Sequence, residues 1–329
     1  MKYALGNMLN GAGGLNPDGL SLDLQFATDK VLTARKGPTP VLTRASTATF
    51  IGSDGLIQTA AVDQARFDHD PTTLDCKGLL IEEQRTNDIR SSTAPATQTR
   101  TVTAVPYTLS FYGTGTIVLS GVHVATVTGT GAYPTRAILT FTPTAGSLVL
   151  TITGSVTNAQ LEAGAFATSW IQTPSFSSVT RSADACSITG SNFTGIWNRF
   201  AGTCVIGVGS SLGTGPRFVS NSAAARTTEI YGTTSIDFFE AGGTNEVRIV
   251  TSPTYPIKLG LAYAINDYQS AYSGLISGSD TNTGGTIPDA TALYIGSLGG
   301  SGSRLTGHIS FIRYYKKRLA NAKLQTLTT

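Results

Sequence analysis

The stretch Ile257-Lys258-Leu259-Gly260-Leu261-Ala262-Tyr263-Ala264-Ile265 decides the fold. Its large apolar residues, Ile257, Leu259, Leu261, Tyr263 and Ile265, fall at every second position. Period two puts successive side chains on opposite faces of a strand, so this segment reads as a strand with one face on a core. The period returns at Cys204, Ile206 and Val208; at Val105, Tyr107, Leu109 and Phe111; at Ala137, Leu139 and Phe141; and at Leu148, Leu150 and Ile152. Shorter strands are predicted at Ala48–Ile51, Leu79–Glu82, Leu293–Ile295 and Ile309–Arg313. Turn chemistry separates them at Ser53-Asp54-Gly55, Gly113-Thr114-Gly115, Gly129-Thr130-Gly131 and Pro143-Thr144-Ala145-Gly146. Many short, evenly spaced strands without intervening helices predict an all-β chain of jelly-roll or β-sandwich modules. Helix is expected mostly near the end, where Ala320, Leu324 and Leu327 stand at i, i+4 and i+7 within Lys316–Thr329.

Composition points the same way. Charged residues make up 13% of the 329 positions, about half the usual share. Thr, Ser and 37 glycines fill the gap. Thr suits strands because its branched Cβ fits a pleated surface. The net charge of +3 is spread thinly, and the longest basic run is Lys316-Lys317-Arg318. A phosphate-neutralising stripe is missing, which argues against nucleic-acid binding. Cys76, Cys186 and Cys204 are odd in number and far apart, which suits a reducing compartment better than a disulfide framework. Gly6, Asn7, Asn10 and Gly11 interrupt the apolar residues of the first 14 positions, so a signal peptide is not expected there. Nor is membrane insertion, which needs a run of roughly 20 apolar residues. The expectation is a soluble chain without an export route of its own.

Three regions are expected: an extended arm over residues 1–43, a first jelly roll over 44–180 and a second over 181–329, the two modules in tandem. Within the arm, Leu20, Leu22, Leu24 and Phe26 alternate with Ser21, Asp23 and Gln25. That makes one half-buried strand, which needs a partner in the chain's own body or in a neighbouring subunit.

Candidate chemistry is sparse. His69, His123 and His308 sit in unrelated segments, none near a recognisable nucleophile motif. In Asp68-His69-Asp70 the two carboxylates share a face and the imidazole takes the other, so a turn at Asp70-Pro71 is the better account. Glu82 and Glu83 point to opposite faces of a strand and cannot flank one glycosidic bond. A buried Glu–Arg pair at a strand junction, with Arg85 nearby, is expected instead. Asp280, Asn282 and Asp289 lie in a Gly-rich region. Their oxygens could hold calcium, but turns use Asp and Asn in any case. No catalytic and no metal-ligating residue is therefore assigned. Aromatic rings stack on sugar faces, which makes Tyr255, Tyr268, Tyr272 and Tyr294, beside expected loops, the glycan-binding candidates.

Several segments carry a family resemblance. Arg44-Ala45-Ser46-Thr47-Ala48-Thr49-Phe50 with Arg66-Phe67-Asp68-His69-Asp70-Pro71, then Gly78-Leu79-Leu80-Ile81-Glu82-Glu83-Gln84-Arg85-Thr86-Asn87, form the first part. Tyr107-Thr108-Leu109-Ser110-Phe111-Tyr112-Gly113 and Asn158-Ala159-Gln160-Leu161-Glu162-Ala163-Gly164-Ala165-Phe166-Ala167-Thr168-Ser169-Trp170 complete it. Over roughly residues 20 to 182 the chain resembles head-spike or fibre proteins of tailed bacteriophages, with a carbohydrate-binding-like jelly roll. More loosely, Gly307-His308-Ile309-Ser310-Phe311-Ile312-Arg313-Tyr314-Tyr315 is similar to the closing strand of concanavalin-A-like or laminin-G-like domains.

The resemblance implies a non-enzymatic structural protein of the virion (fibre, spike or tail subunit), made in the host bacterial cytoplasm. It implies docking to other virion proteins through the arm, self-association as a homotrimer, and attachment to host surface polysaccharide. The alternatives are a capsid decoration or cement protein that binds other virion proteins, and a polysaccharide depolymerase.

Overall fold

The structure is a computed structural model that describes residues 18–212, 217–220, 229–231, 236–239, 246–249, 253–280, 289–299 and 303–329. Over these residues the chain is all-β. Helix occurs at Asn321–Thr328, and also as two short pieces at Phe26–Asp29 and Gly190–Ile196. None of these helices is long and apolar enough to cross a membrane. The terminal helix begins one residue after Ala320, which is its exposed cap, so the buried stripe runs through Leu324 and Thr328 with Leu327 beside them.

The larger sandwich has two sheets. One runs Leu275–Asp280, Asp267–Tyr272, Ile257–Ala264, Ala201–Leu212, Thr306–Tyr315, Cys76–Ile81 and Phe67–His69, with Leu20–Leu24 also paired to Thr306–Tyr315. The other begins Val41–Thr43, Ala185–Thr189, Ala292–Ile295 and Arg217–Ser220, and continues through Glu229–Tyr231, Ile236–Phe239 and Glu246–Ile249. Their inner faces share one core, in which Ile206, Leu259, Leu261 and Tyr263 meet Leu42, Cys186, Ile188 and Ile295. The alternation in Ile257–Tyr263 is thus resolved as expected. On the opposite face of that strand the two central positions are the small Gly260 and Ala262, because the terminal helix lies on them: a Cβ on Gly260 would stand 2.7 Å from Leu324 Cδ1.

The smaller sandwich lies between residues 98 and 163. One sheet runs Ala125–Thr128, Thr116–Gly121, Gly146–Thr153 and Gln98–Val102; the other runs Ala137–Phe141, Tyr107–Tyr112 and Thr157–Ala163. Leu109, Phe111, Ile117, Leu119, Leu148, Leu150 and Leu161 fill its core. Tyr107–Tyr112 is buried on both faces. Its outer residues Thr108 and Ser110 lie beside Gln160 and Glu162, and the 168–171 segment seals that side. Thr168 donates N–H and O–H to Glu162 at 2.8 and 2.7 Å, and Ile171 N–H donates to Gln160 at 2.6 Å.

Strand pairing crosses the expected region boundaries. Leu20–Leu24 finds its partner in the chain's own body, on Thr306–Tyr315. Leu22, Leu24 and Phe26 are wholly buried in the large core, so from residue 20 onward the expected arm is an integral part of the sandwich. Residues 1–17 lie outside the described residues. Cys76–Ile81 and Phe67–His69 also join the large sheet. The small sandwich is therefore inserted into the large one, through a neck where Arg85–Asn87 pairs with Val179–Arg181. The hairpin expected around Ser53-Asp54-Gly55 forms between Ala48–Ile51 and Ile57–Ala60.

Candidate functional site

The neck is held by a buried charge cluster. Arg66 donates to Glu82 and to Asp184, both at 2.6 Å, Arg44 donates to Asp184 at 2.9 Å, and Arg181 also pairs with Glu82. All five side chains are essentially shielded from solvent. Both carboxylates take further donors, while Arg66 Nε and Arg181 Nε find no acceptor among the described residues. Ser169 gives N–H and O–H to Glu82 at 2.7 and 2.6 Å, and Glu82 N–H goes to Asp184 at 2.9 Å. Burial opposes charge on Glu82, but the guanidiniums of Arg181 and Arg66 and the Ser169 hydrogen bonds hold its carboxyl well below the usual carboxylate range. The expected Glu–Arg junction is present with different partners. Arg85 pairs with the half-exposed Glu83, while Arg66 and Arg181 serve Glu82. Such a cluster fixes the two sandwiches to one another and offers no free acid or base.

Beside it, where the inserted sandwich meets the large sheet, lies a cleft of about 320 Å³. Trp170, Tyr112 and Arg136 line it from the inserted sandwich, and Phe50 and Ile51 from the hairpin. Asp68, Lys77, Ser210 and His308 line it from the large sheet. The Trp170 indole N–H has no acceptor among the described residues, while Thr49 Oγ1 donates to the Trp170 carbonyl. Arg136 is fixed by Thr168 O and Ser110 Oγ, each at 2.7 Å.

On the sheet wall three polar residues form a row. Ser210 stands opposite His308 across neighbouring strands, and Asp68 stands opposite Gly78 one strand further on. His308 pairs with Leu80, two residues from Gly78, so Leu80 and Gly78 point to the same face as His308. Gly78 has no side chain to block the diagonal from His308 to Asp68. Its φ is +108°, and a Cβ there would fall 2.2 Å from Ile309 O. The distances are 2.7 Å from Ser210 Oγ to His308 Nδ1 and 2.9 Å from His308 Nε2 to Asp68 Oδ2. The other Asp68 oxygen accepts Ile51 N–H at 2.6 Å. A carboxylate only accepts, so Nε2–H faces Asp68; Nδ1 faces the Ser210 hydroxyl and is the acceptor in the neutral form of the ring.

Sequence reasoning missed this row. Ser210 and Asp68 stand 98 and 240 positions from His308, and only the strand order brings the three together. Asp68 was the one legible signal, through Asp68-His69-Asp70. That triplet does not converge: His69 Nδ1 lies 3.1 Å from Ile51 O, and Asp70 accepts the N–H groups of Thr72 and Thr73, making the expected turn.

The four candidate tyrosines lie elsewhere. Tyr268 is 2% exposed and stacks on Tyr263 with centroids 6.2 Å apart, so it belongs to the core and cannot face a sugar. Tyr255 and Tyr272 are half-buried against the same core, and Tyr294 is half-buried on Ala292–Ile295. None lines the cleft. Of the calcium candidates, Asn282 lies outside the described residues. Among the described residues, no group of three His, Cys, Asp or Glu side chains could hold a metal ion.

No protein-family model matches the chain, and no curated protein does. Solved structures do show partial likeness. The carbohydrate-binding module CBM40 of the Ruminococcus gnavus IT-sialidase bound to α2,3-sialyllactose is 12% identical, over 39% of this chain and 82% of that one, with a TM-score of 0.34. Trypanosoma rangeli sialidase in complex with the inhibitor DANA is 17% identical, over 44% and 25%, with a TM-score of 0.33. Leech intramolecular trans-sialidase complexed with 2,7-anhydro-Neu5Ac is 11% identical, over 43% and 26%, with a TM-score of 0.37.

Proposed function

We propose that the chain is a bacteriophage virion protein that binds host-surface glycan in the cleft between its two sandwiches. The carrying observation is the lining of that cleft: an indole and a phenol ring on one wall, and a carboxylate, an imidazole, a hydroxyl and an ammonium on the other. Apolar ring faces with a few convergent polar groups are what a saccharide requires, because a sugar presents C–H faces flanked by hydroxyls. Arg136 and Asp68 are already tied to protein atoms, so they present oriented charge without an ordering cost on binding.

The virion assignment is supported by the resemblance over residues 20 to 182, as are assembly with other virion proteins through the N-terminal residues and trimerisation. Binding of purified chain to host surface polysaccharide tests the glycan part. Trp170→Ala should weaken it on the order of tenfold, given the worth of an aromatic contact. Undiminished binding by a folded Trp170→Ala protein would refute the cleft as the seat. Immunogold labelling of particles tests the virion part.

A further inference from the structure

From the row Ser210–His308–Asp68 we infer that the cleft is also a serine-esterase site, acting on O-acyl esters of the bound glycan. The substrate class rests on the glycan proposal; the nucleophile does not. Nucleophilic catalysis by serine needs a hydroxyl hydrogen-bonded to a base, and a third group that orients the base. All three are present in order, at 2.7 and 2.9 Å. Ser210 is half-exposed and lines the cleft, so its oxygen can meet a ligand. Pairing between the two strands slips its register between Val208 and Ser210, a bulge of the kind that re-aims a side chain. Close packing needs small residues here: a Cβ on Gly209 would lie 2.9 Å from Lys77 O, and one on Gly307 would lie 2.1 Å from Ser210 O.

The step balances with water as the only co-reactant. Ser210 Oγ attacks the acyl carbonyl carbon while His308 Nδ1 takes its proton. The tetrahedral adduct collapses, its bond to the sugar oxygen breaks, and the imidazolium returns the proton to that oxygen. Water, deprotonated by the same nitrogen, then attacks the acyl-serine carbonyl; the acyl–Oγ bond breaks, the imidazolium returns the proton to Oγ, and a carboxylic acid and free Ser210 result. Asp68 is a positioning residue that keeps the Nε2–H tautomer. Lys77 and Arg136 supply positive charge to the cleft in which the oxyanion develops.

The test uses the full chain with a fluorophosphonate probe, p-nitrophenyl acetate, and O-acetylated host polysaccharide beside its de-O-acetylated form. Peptide mass spectrometry should place the phosphonyl adduct on Ser210. Ser210→Ala should abolish labelling and lower turnover on the order of 10³-fold. Asp68→Asn should lower turnover on the order of 10²-fold or more and move the acid limb of its pH profile, which a merely structural hydrogen bond would not do. Circular dichroism and thermal melts establish that each variant is folded. A wild-type chain with no adduct and no turnover above buffer, or an equally active Ser210→Ala protein, overturns the inference. Binding of the de-O-acetylated polysaccharide separates the two proposals. Binding without turnover sinks only the esterase, and turnover of p-nitrophenyl acetate without binding sinks only the glycan seat.

Discussion

Replacing Glu82 by Gln isolates what holds the two sandwiches together. The carboxylate accepts from Arg66 at 2.6 Å, from Arg181, and from both Ser169 donors. An amide keeps one acceptor oxygen, so the Ser169 N–H bond can survive. Its NH₂ group must then face guanidinium donors, leaving two buried cations short of a counter-charge. Breaking a buried pair by removing one partner costs about 3–5 kcal/mol, far more than the net worth of the pair, because the desolvated partner stays behind. If both sandwiches melt as one unit of this length, the unfolding entropy per residue converts that into a fall in Tm of about 4–7 °C. Urea unfolding and calorimetry should both register it. A pH series adds a signed check. The Glu82 carboxyl is held below its ordinary 4.5, so its contribution is fully present above that value and is lost as pH falls through the depressed folded-state value. Between those two values the wild type loses this stabilisation, whereas Glu82→Gln has none to lose. A loss under about 1 kcal/mol on substitution, the range of surface pairs, would refute the junction as the clamp.

The neighbouring Glu83 is half-exposed and paired only with Arg85 in the described ion pairs, so Glu83→Gln should change stability by less than about 1 kcal/mol in the same urea assay. Leu22→Ala should cost about 2–5 kcal/mol by urea unfolding because the side chain is fully buried. Deleting residues 1–40 should accordingly abolish folding of the large sandwich by circular dichroism. Tyr268→Ala should lower Tm as a core truncation worth about 3–5 kcal/mol, and glycan affinity of the folded fraction should stay unchanged. With native protein, a thiol reagent at neutral pH should modify the half-buried Cys76 before Cys186 and Cys204. Burial pushes the Cys204 thiol up to about 12 and the Cys186 thiol higher still, so neither forms thiolate until the chain unfolds.

Local pattern was legible wherever one strand carried its own signal. Ile257–Tyr263 faces the core as its period predicts, and Ser53-Asp54-Gly55 turns the expected strand Ala48–Ile51 back on itself, into Ile57–Ala60. The pairings were not legible, because they join residues far apart in the chain. Leu20–Leu24 displays an amphipathic strand but nothing that names Thr306–Tyr315 as its partner. Tyr268 was read as a loop residue. It sits opposite Tyr263 in the ladder, and paired residues share a face, so the core claims both. The Ser210–His308–Asp68 row was hidden for the same reason, as were Arg66 and Arg181 as the partners of Glu82.

The most direct measurement is a crystal structure of the chain with an oligosaccharide cut from host surface polysaccharide. A sugar ring should lie against Trp170, with hydroxyls reaching the Asp68 and Arg136 side of the cleft. A saccharide seated instead at Tyr255, Tyr272 or Tyr294, with the cleft empty at saturating ligand, would contradict it.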